Sequence, residues 1–168
     1  MIYLYTGNGE GKTTAALGHA LRALGYGKKI AVVCFMKGWE TGELRFSKKQ
    51  KSFELFQFGS GSFANLKKPS KNDKRLATDA LLYAEKLIRS KKYDVVILDE
   101  VNVAVGFRLI SAAKVLKILA KIPKNMVIFL TGRKAPKSFI KLADLVTEMK
   151  EVKHPFRKGI QAKKGIEY

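Results

Sequence analysis

Short, nearly unbroken apolar runs alternate along this chain with longer stretches in which hydrophobic residues return every three or four positions. Ile2-Tyr3-Leu4-Tyr5, the run from about Lys29 to Phe35, Val95-Val96-Ile97-Leu98 and Met126-Val127-Ile128-Phe129-Leu130 read as strands buried on both faces. Phe53 to Phe58 alternates imperfectly and reads as a further strand, and Leu145 to Met149 as the last. Helical spacing covers Ala15 to Leu24, ending at Gly25, and Leu109 to Ala120, with a short helix over Pro136 to Leu142. Asp73 to Arg89 carries Leu76, Ala77, Ala80, Leu81, Ala84, Leu87 and Ile88 on one face, an amphipathic helix. Met36 to Gln50 is polar and mixed, with Lys37 to Glu43 as a loop at a strand's C-terminal end; Gly59 to Pro69 reads as a long flexible loop. Strand and helix in alternation predict a doubly wound, mostly parallel α/β sheet with right-handed crossovers. No internal repeat or second domain interrupts the pattern, so residues 1–168 are expected to form one domain.

Between the first strand and the first helix lies Thr6-Gly7-Asn8-Gly9-Glu10-Gly11-Lys12-Thr13-Thr14. In a strand–turn–helix context such a loop aims backbone N–H groups and the positive end of the helix dipole at one anion. Lys12 would reach phosphate oxygens and the Thr13 hydroxyl would ligate Mg²⁺ (or Mn²⁺). The pattern departs from the common P-loop by one residue. The first glycine of G-x-x-x-x-G-K-[ST] falls at Thr6, and Gly7 comes one position late, which predicts a shorter or differently wound cradle.

Composition adds constraints. With 46% hydrophobic residues the chain can bury a full core, and no apolar run approaches the ~20 residues of a membrane span. The strand and P-loop stand at the N-terminus with no room for a signal peptide, and Cys34, the single cysteine, lies inside an apolar run; a cytoplasmic protein with a buried structural thiol is expected. Lys and Arg number 33 against 14 Asp and Glu, a net charge of +19. The lysines are scattered (Lys48, Lys49, Lys51; Lys67, Lys68, Lys71, Lys74; Lys91, Lys92; Lys163, Lys164) and no nucleic-acid motif accompanies them. A solvated basic surface that draws in anionic nucleotide is favoured over nucleic-acid binding.

A second signature follows the run Val95 to Leu98: Asp99-Glu100, a Walker B-like strand end. Beside a P-loop such an acid completes a Mg²⁺ shell with Thr13, and the following glutamate orients a nucleophile or makes a second metal contact. Together the two signatures predict a P-loop NTPase of the RecA-like, three-layer kind with a nucleoside-triphosphate site.

Over nearly its whole length the sequence resembles the ATP:corrinoid adenosyltransferases (the P-loop type of cob(I)alamin adenosyltransferase). Thr6 to Ala16 resembles that family's loop, including its one-residue departure, and Val96 to Asn102 its acidic strand end. The C-terminal stretches are the most specific: Leu130-Thr131-Gly132-Arg133, Ala143 to Met149, Lys153-His154-Pro155-Phe156 and Gly159 to Glu167. The resemblance implies attack of a Co(I) corrinoid on the 5′ carbon of ATP, transfer of the 5′-deoxyadenosyl group and release of triphosphate. The triphosphate would be held in the reverse sense to ordinary P-loop enzymes. It implies Lys12, Thr13 and Glu100 as catalytic residues and Gly7, Asn8, Gly9, Glu10, Gly11, Lys12, Thr13, Thr14, Arg133 and Phe63 as binding residues. Thr13, Asp99 and Glu100 would hold the metal. It further implies a homodimer, a flavoprotein or flavodoxin-type reductant that supplies Co(I), and a basic tail, residues 150–168, packed near the site. His154 takes a structural or phosphate-adjacent role and His19 a structural one.

Two departures from the family stand out. Glu10 replaces its usual lysine. In Gly61-Ser62-Phe63-Ala64 the tryptophan of its Gly-Phe-Thr-Trp type segment is missing. A cap of Phe63 and Leu66 over the corrinoid, with Trp39 as a second contributor, is one expectation; a loop aromatic packed on its own domain is the other. The competing functions are a P-loop ATPase or kinase that cleaves between phosphates, and a basic RecA-like nucleic-acid-binding ATPase.

Overall fold

A computed structural model describes residues 1–61 and 68–167. In chain order the elements are β1 (Ile2–Thr6), α1 (Lys12–Gly25), β2 (Ile30–Phe35), α2 (Gly42–Ser47), β3 (Phe53–Phe58), α3 (Lys71–Ser90), β4 (Val95–Asp99), α4 (Val101–Gly106), α5 (Ala112–Leu119), β5 (Val127–Thr131), α6 (Lys137–Leu142), β6 (Leu145–Glu148) and a 3₁₀ turn (Pro155–Lys158). The strands form one sheet in the order β3-β2-β4-β5-β1-β6, and every pairing is parallel.

Side-chain alternation along each strand divides the core in two. One face carries Leu4, Val33, Val96, Leu98, Ile128 and Leu130 under α3, α4, α5 and α6. The other carries Ile30, Val32, Cys34, Ile97 and Phe129 under Ala16 and Ala20 of α1, with Leu44 of α2 packed against it. Helices on both faces explain why β2 and β4 are apolar at every position up to Asp99: neither face of the sheet meets water there. Cys34 is buried in this core, and burial pushes its thiol well up, as befits a structural role. His19 is half-buried among Tyr3, Tyr5 and Phe129, with ring centroids 5.0–6.2 Å away.

Several boundaries differ from the sequence reading, each for a local reason. The stretch from Met36 to Gln50, read as polar and mixed, contains α2, which Thr41 caps by accepting from the Leu44 N–H at 3.4 Å. Helix α3 starts at Lys71 rather than Asp73, because Ser70 and Asp73 form a capping box. The helix expected from Leu109 begins at Ala112, since Leu109 and Ile110 turn into the core and Ser111 is the cap. Helix α4 was not anticipated; Glu100, with φ 64°, ends β4 and starts it at once. Strand β6 stops at Glu148, one residue early. The loop expected over Gly59 to Pro69 lies partly outside the described residues, and Phe63, Leu66 and the Ser62–Ala64 positions lie wholly outside them.

Candidate active site

Parallel strands bring all their C-terminal ends to one edge, and that edge holds every sequence-predicted site residue the structure describes. After β1 the backbone turns sharply at Gly7, φ 96°. There it is pressed against the strand leaving β6: the Met149 N–H donates to Thr6 O at 2.8 Å and the Gly9 N–H donates to Met149 O at 2.7 Å. A Cβ on Gly7 would stand 2.3 Å from Met149 O, and one on Gly9 2.8 Å from Lys150. The alternating glycines therefore have a packing cause besides any phosphate: they let the start of the C-terminal tail lie directly on the loop. Thr6, where a common P-loop has its first glycine, instead uses its hydroxyl to accept from the Ala135 N–H at 3.3 Å.

Lys12, in the first turn of α1, is buried, and its ammonium donates to Gly9 O across the loop. Burial lowers its pKa, opposed chiefly by Glu100. Thr13 follows, and its hydroxyl donates to Asp99 Oδ1 at 2.7 Å. The same oxygen accepts from Thr131 at the end of β5, also at 2.7 Å, and Thr131 Oγ1 in turn accepts from the Glu100 N–H at 3.0 Å. The other carboxylate oxygen, Oδ2, accepts from Lys37 Nζ at 2.7 Å. Asp99 is fully buried. Burial alone would raise its carboxyl, but the Lys37 ammonium and the three hydrogen bonds outweigh this and hold it below the usual carboxylate range. Lys37 is raised correspondingly: burial works against its charge and Asp99 more than restores it. Glu100 moves the other way, raised by burial and then by the neighbouring Asp99 carboxylate.

Two cavities flank this cluster. One of about 410 Å³ is lined by the loop from Glu10 to Thr14, Lys37, Glu43, Glu100 and the tail residues Gly165 to Glu167. The other, about 750 Å³, is lined by Asn8, Gly9, Glu10, Lys12, Glu100, Arg133, Glu151, His154, Phe156 and Arg157. Arg133 itself is exposed. His154 caps the 3₁₀ turn, its Nδ1 accepting from the Phe156 N–H at 3.1 Å, and its Nε2 lies 3.9 Å from Glu10 Oε2. The structure thus gathers Gly7 to Thr14, Asp99, Glu100, Arg133 and His154 around two adjoining spaces. Thr14 and Glu10 point at them from exposed positions.

Three buried or half-buried contributors escaped the sequence reading of the site. Lys37 was read as loop, although it follows β2 just as Asp99 ends β4; the register pair Cys34–Asp99 brings the two strand ends together. Thr131 is the fully buried partner that ties Asp99 to the Glu100 backbone. Asn102 is fully buried and donates to Tyr5 O at 3.2 Å and Gly132 O at 2.9 Å, clasping the strand before the P-loop to the turn before Arg133. Replacing Thr131 by valine keeps the shape but strands the Glu100 N–H and removes a donor from Asp99. About 2 kcal/mol of stability is expected to go, read by urea unfolding, and a loss below about 0.5 kcal/mol would show the bonds to be dispensable.

The donor set suits a hard divalent cation. The Thr13 hydroxyl bonds the Asp99 carboxylate and shares a cavity with Glu100, and Mg²⁺ characteristically uses one or two carboxylates together with substrate phosphates and water. Among the described residues no group of three or more His, Cys, Asp and Glu side chains forms a self-sufficient metal cage.

A parallel sheet with a glycine-rich loop on α1 and an acidic β4 end defines a P-loop protein of RecA-like architecture. The RadB recombinase shares that fold, with a TM-score of 0.51 over 92% of this chain and 76% of the recombinase, at 14% identity. The family is narrower. Residues 1–168 match the model of ATP:corrinoid adenosyltransferase BtuR/CobO/CobP, and the chain belongs to that family. It is 38% identical to a corrinoid adenosyltransferase of Sinorhizobium sp, spanning the whole of this chain and 80% of that protein. It is 36% identical to that of Escherichia coli (strain K12), spanning 85% of it. The chain is accordingly a corrinoid adenosyltransferase, a transferase that moves the adenosyl group from ATP to a corrinoid. Among the described residues no helix is long and apolar enough to cross a membrane.

Proposed function

We propose that the reaction proceeds by attack of a Co(I) corrinoid on the 5′ carbon of ATP, with inorganic triphosphate as the leaving group. The observation that carries this reading is the convergence of Lys12 and the Thr13–Asp99 pair at the N-terminal end of α1. That arrangement serves an oligophosphate. The corrinoid cobalt is itself the nucleophile, so no general base is needed. The loop N–H groups and Lys12 hold the triphosphate as its charge develops, the electrostatic stabilisation on which such a displacement depends. Mg²⁺, held by Thr13, Asp99 and Glu100, would supply further charge neutralisation to the triphosphate. Glu100, at the junction of the two cavities and raised in pKa, positions metal or ribose. Arg133 contacts phosphate from the wall of the larger cavity.

The family resemblance supports a cytoplasmic homodimer served by a flavoprotein or flavodoxin-type reductant. The test is anaerobic incubation with Mg-ATP and a chemically reduced corrinoid. Intact triphosphate appearing in step with a light-sensitive adenosylated corrinoid is expected. ADP and phosphate formed without corrinoid would overturn the reading.

A further inference from the structure

The reaction as derived leaves a well-placed cation without a task. Lys37 Nζ covers Asp99 Oδ2 at 2.7 Å, while Oδ1 is engaged by Thr13 and Thr131. We propose that Lys37 is a second triphosphate-binding lysine: its ammonium rests on Asp99 in the ligand-free protein and passes to the triphosphate when Mg²⁺ engages that carboxylate. This rests on the reading of Thr13 and Asp99 as the metal site.

Three observations carry it. The first is competition for one group. Asp99 is fully buried and its hydrogen-bonding oxygens are all occupied, so a cation arriving there meets the Lys37 ammonium at short range, where repulsion is poorly screened. The second is that the lysine has somewhere to go. It lines the same 410 Å³ cavity as Lys12, Thr13 and Thr14, and Glu43 Oε1, 4.0 Å from Nζ, offers a resting point off Asp99. The third is that its backbone is fixed on both sides while its ammonium stands at the end of a four-carbon stem. Met36, just before it, takes a left-handed turn at φ 65° with its N–H donating to Phe58 O at 2.8 Å. Just after it, the backbone of Gly59 presses on Gly38, where a Cβ would stand 2.4 Å from Gly59 O. A rigid anchor and a four-carbon stem let one amine serve two anions in turn.

A lysine that only neutralises Asp99 predicts something different, and ATP binding to the full chain without corrinoid separates the two. Calorimetry, with the fluorescence of Trp39 (the chain's only tryptophan, two residues away) as a second readout, follows binding. In Lys37→Met, ATP affinity at saturating Mg²⁺ is expected to fall about tenfold, the worth of one charge-assisted contact. The Mg²⁺ concentration for half-maximal ATP binding is expected to fall as well, because the metal no longer displaces an ammonium. Unchanged ATP affinity at saturating metal, or a higher metal requirement, overturns the proposal. Should the unpaired Asp99 prevent Lys37→Met from folding, the neutral background decides. Asp99→Asn releases Lys37 and should tighten metal-free ATP binding about tenfold, and adding Lys37→Met should abolish that gain. Equal metal-free affinities in the single and double variants overturn it. ATP binding by the unaltered protein that ignores Mg²⁺ would instead remove the metal site, and the exchange with it.

Discussion

Lys12→Met lowers kcat/KM for adenosyl transfer by about 10³-fold, the upper range for losing one preorganised donor from a developing anion. Most of the loss falls on kcat. The triphosphate gathers charge as its bond to the 5′ carbon breaks, so the ammonium binds the transition state better than ATP. The structure shows how the charge is kept ready. Lys12 is buried, lowered in pKa by that burial, and steadied by the Gly9 carbonyl and the nearby Glu100, Asp99 and Glu10 carboxylates. An incoming oligophosphate therefore meets a cation already stripped of most water. The fold should survive, since the substitution unpairs one loop carbonyl at about 1 kcal/mol and lowers Tm by about 2–4 °C. Steady-state kinetics with saturating reduced corrinoid checks it. A kcat/KM within tenfold of the unaltered enzyme would move the phosphate site elsewhere.

How much of this site could be read from the sequence depends on where its information lies. β1, β2, β4 and β5 were legible because parallel strands covered by helices on both faces must be apolar without interruption. The P-loop and Asp99 were legible because glycines, lysine, threonine and an acid at a strand end are demanded by local geometry. Lys37 was not. In a chain with 33 Lys and Arg, one more lysine after a strand carries no local mark, and its meaning arises only when β2 and β4 pair and bring it to Asp99. Thr131 and Asn102 are likewise defined by partners on other strands, 32 and 97 residues away. Helix α4 was hidden because its buried Val101, Val103 and Ala104 extend the apolar composition of β4; only the left-handed turn at Glu100 divides them. The glycine pattern was read as a phosphate cradle alone, whereas one cause of it, the tail segment lying on Gly7 and Gly9, is a tertiary contact across about 140 residues of chain.

That contact gives the largest expected effect on stability. Gly7→Ala places a methyl group where Met149 O is 2.3 Å and Met149 N 2.8 Å away, both backbone atoms that no rotamer change can move. It also asks an L-residue to hold φ 96°. The left-handed conformation costs about 1–2 kcal/mol and the displaced backbone about 1–3 kcal/mol more. Together these amount to roughly 3 kcal/mol or more, a fall in Tm of about 6–12 °C for a domain of this size. The displacement acts on function as well, because the Gly9 N–H to Met149 O bond that shapes the loop lies two residues on. Gly18→Ala is the matched control. Gly18 is an exposed position inside α1 with nothing within 4 Å of the new methyl, and there alanine should stabilise by about 0.5–1 kcal/mol. Thermal unfolding of the two variants side by side separates close backbone approach from a general intolerance of alanine in this segment. A Gly7→Ala protein that melts within about 1 °C of the unaltered chain would mean that the tail does not rest on the loop in solution, and the glycine spacing would then have to be explained by phosphate alone.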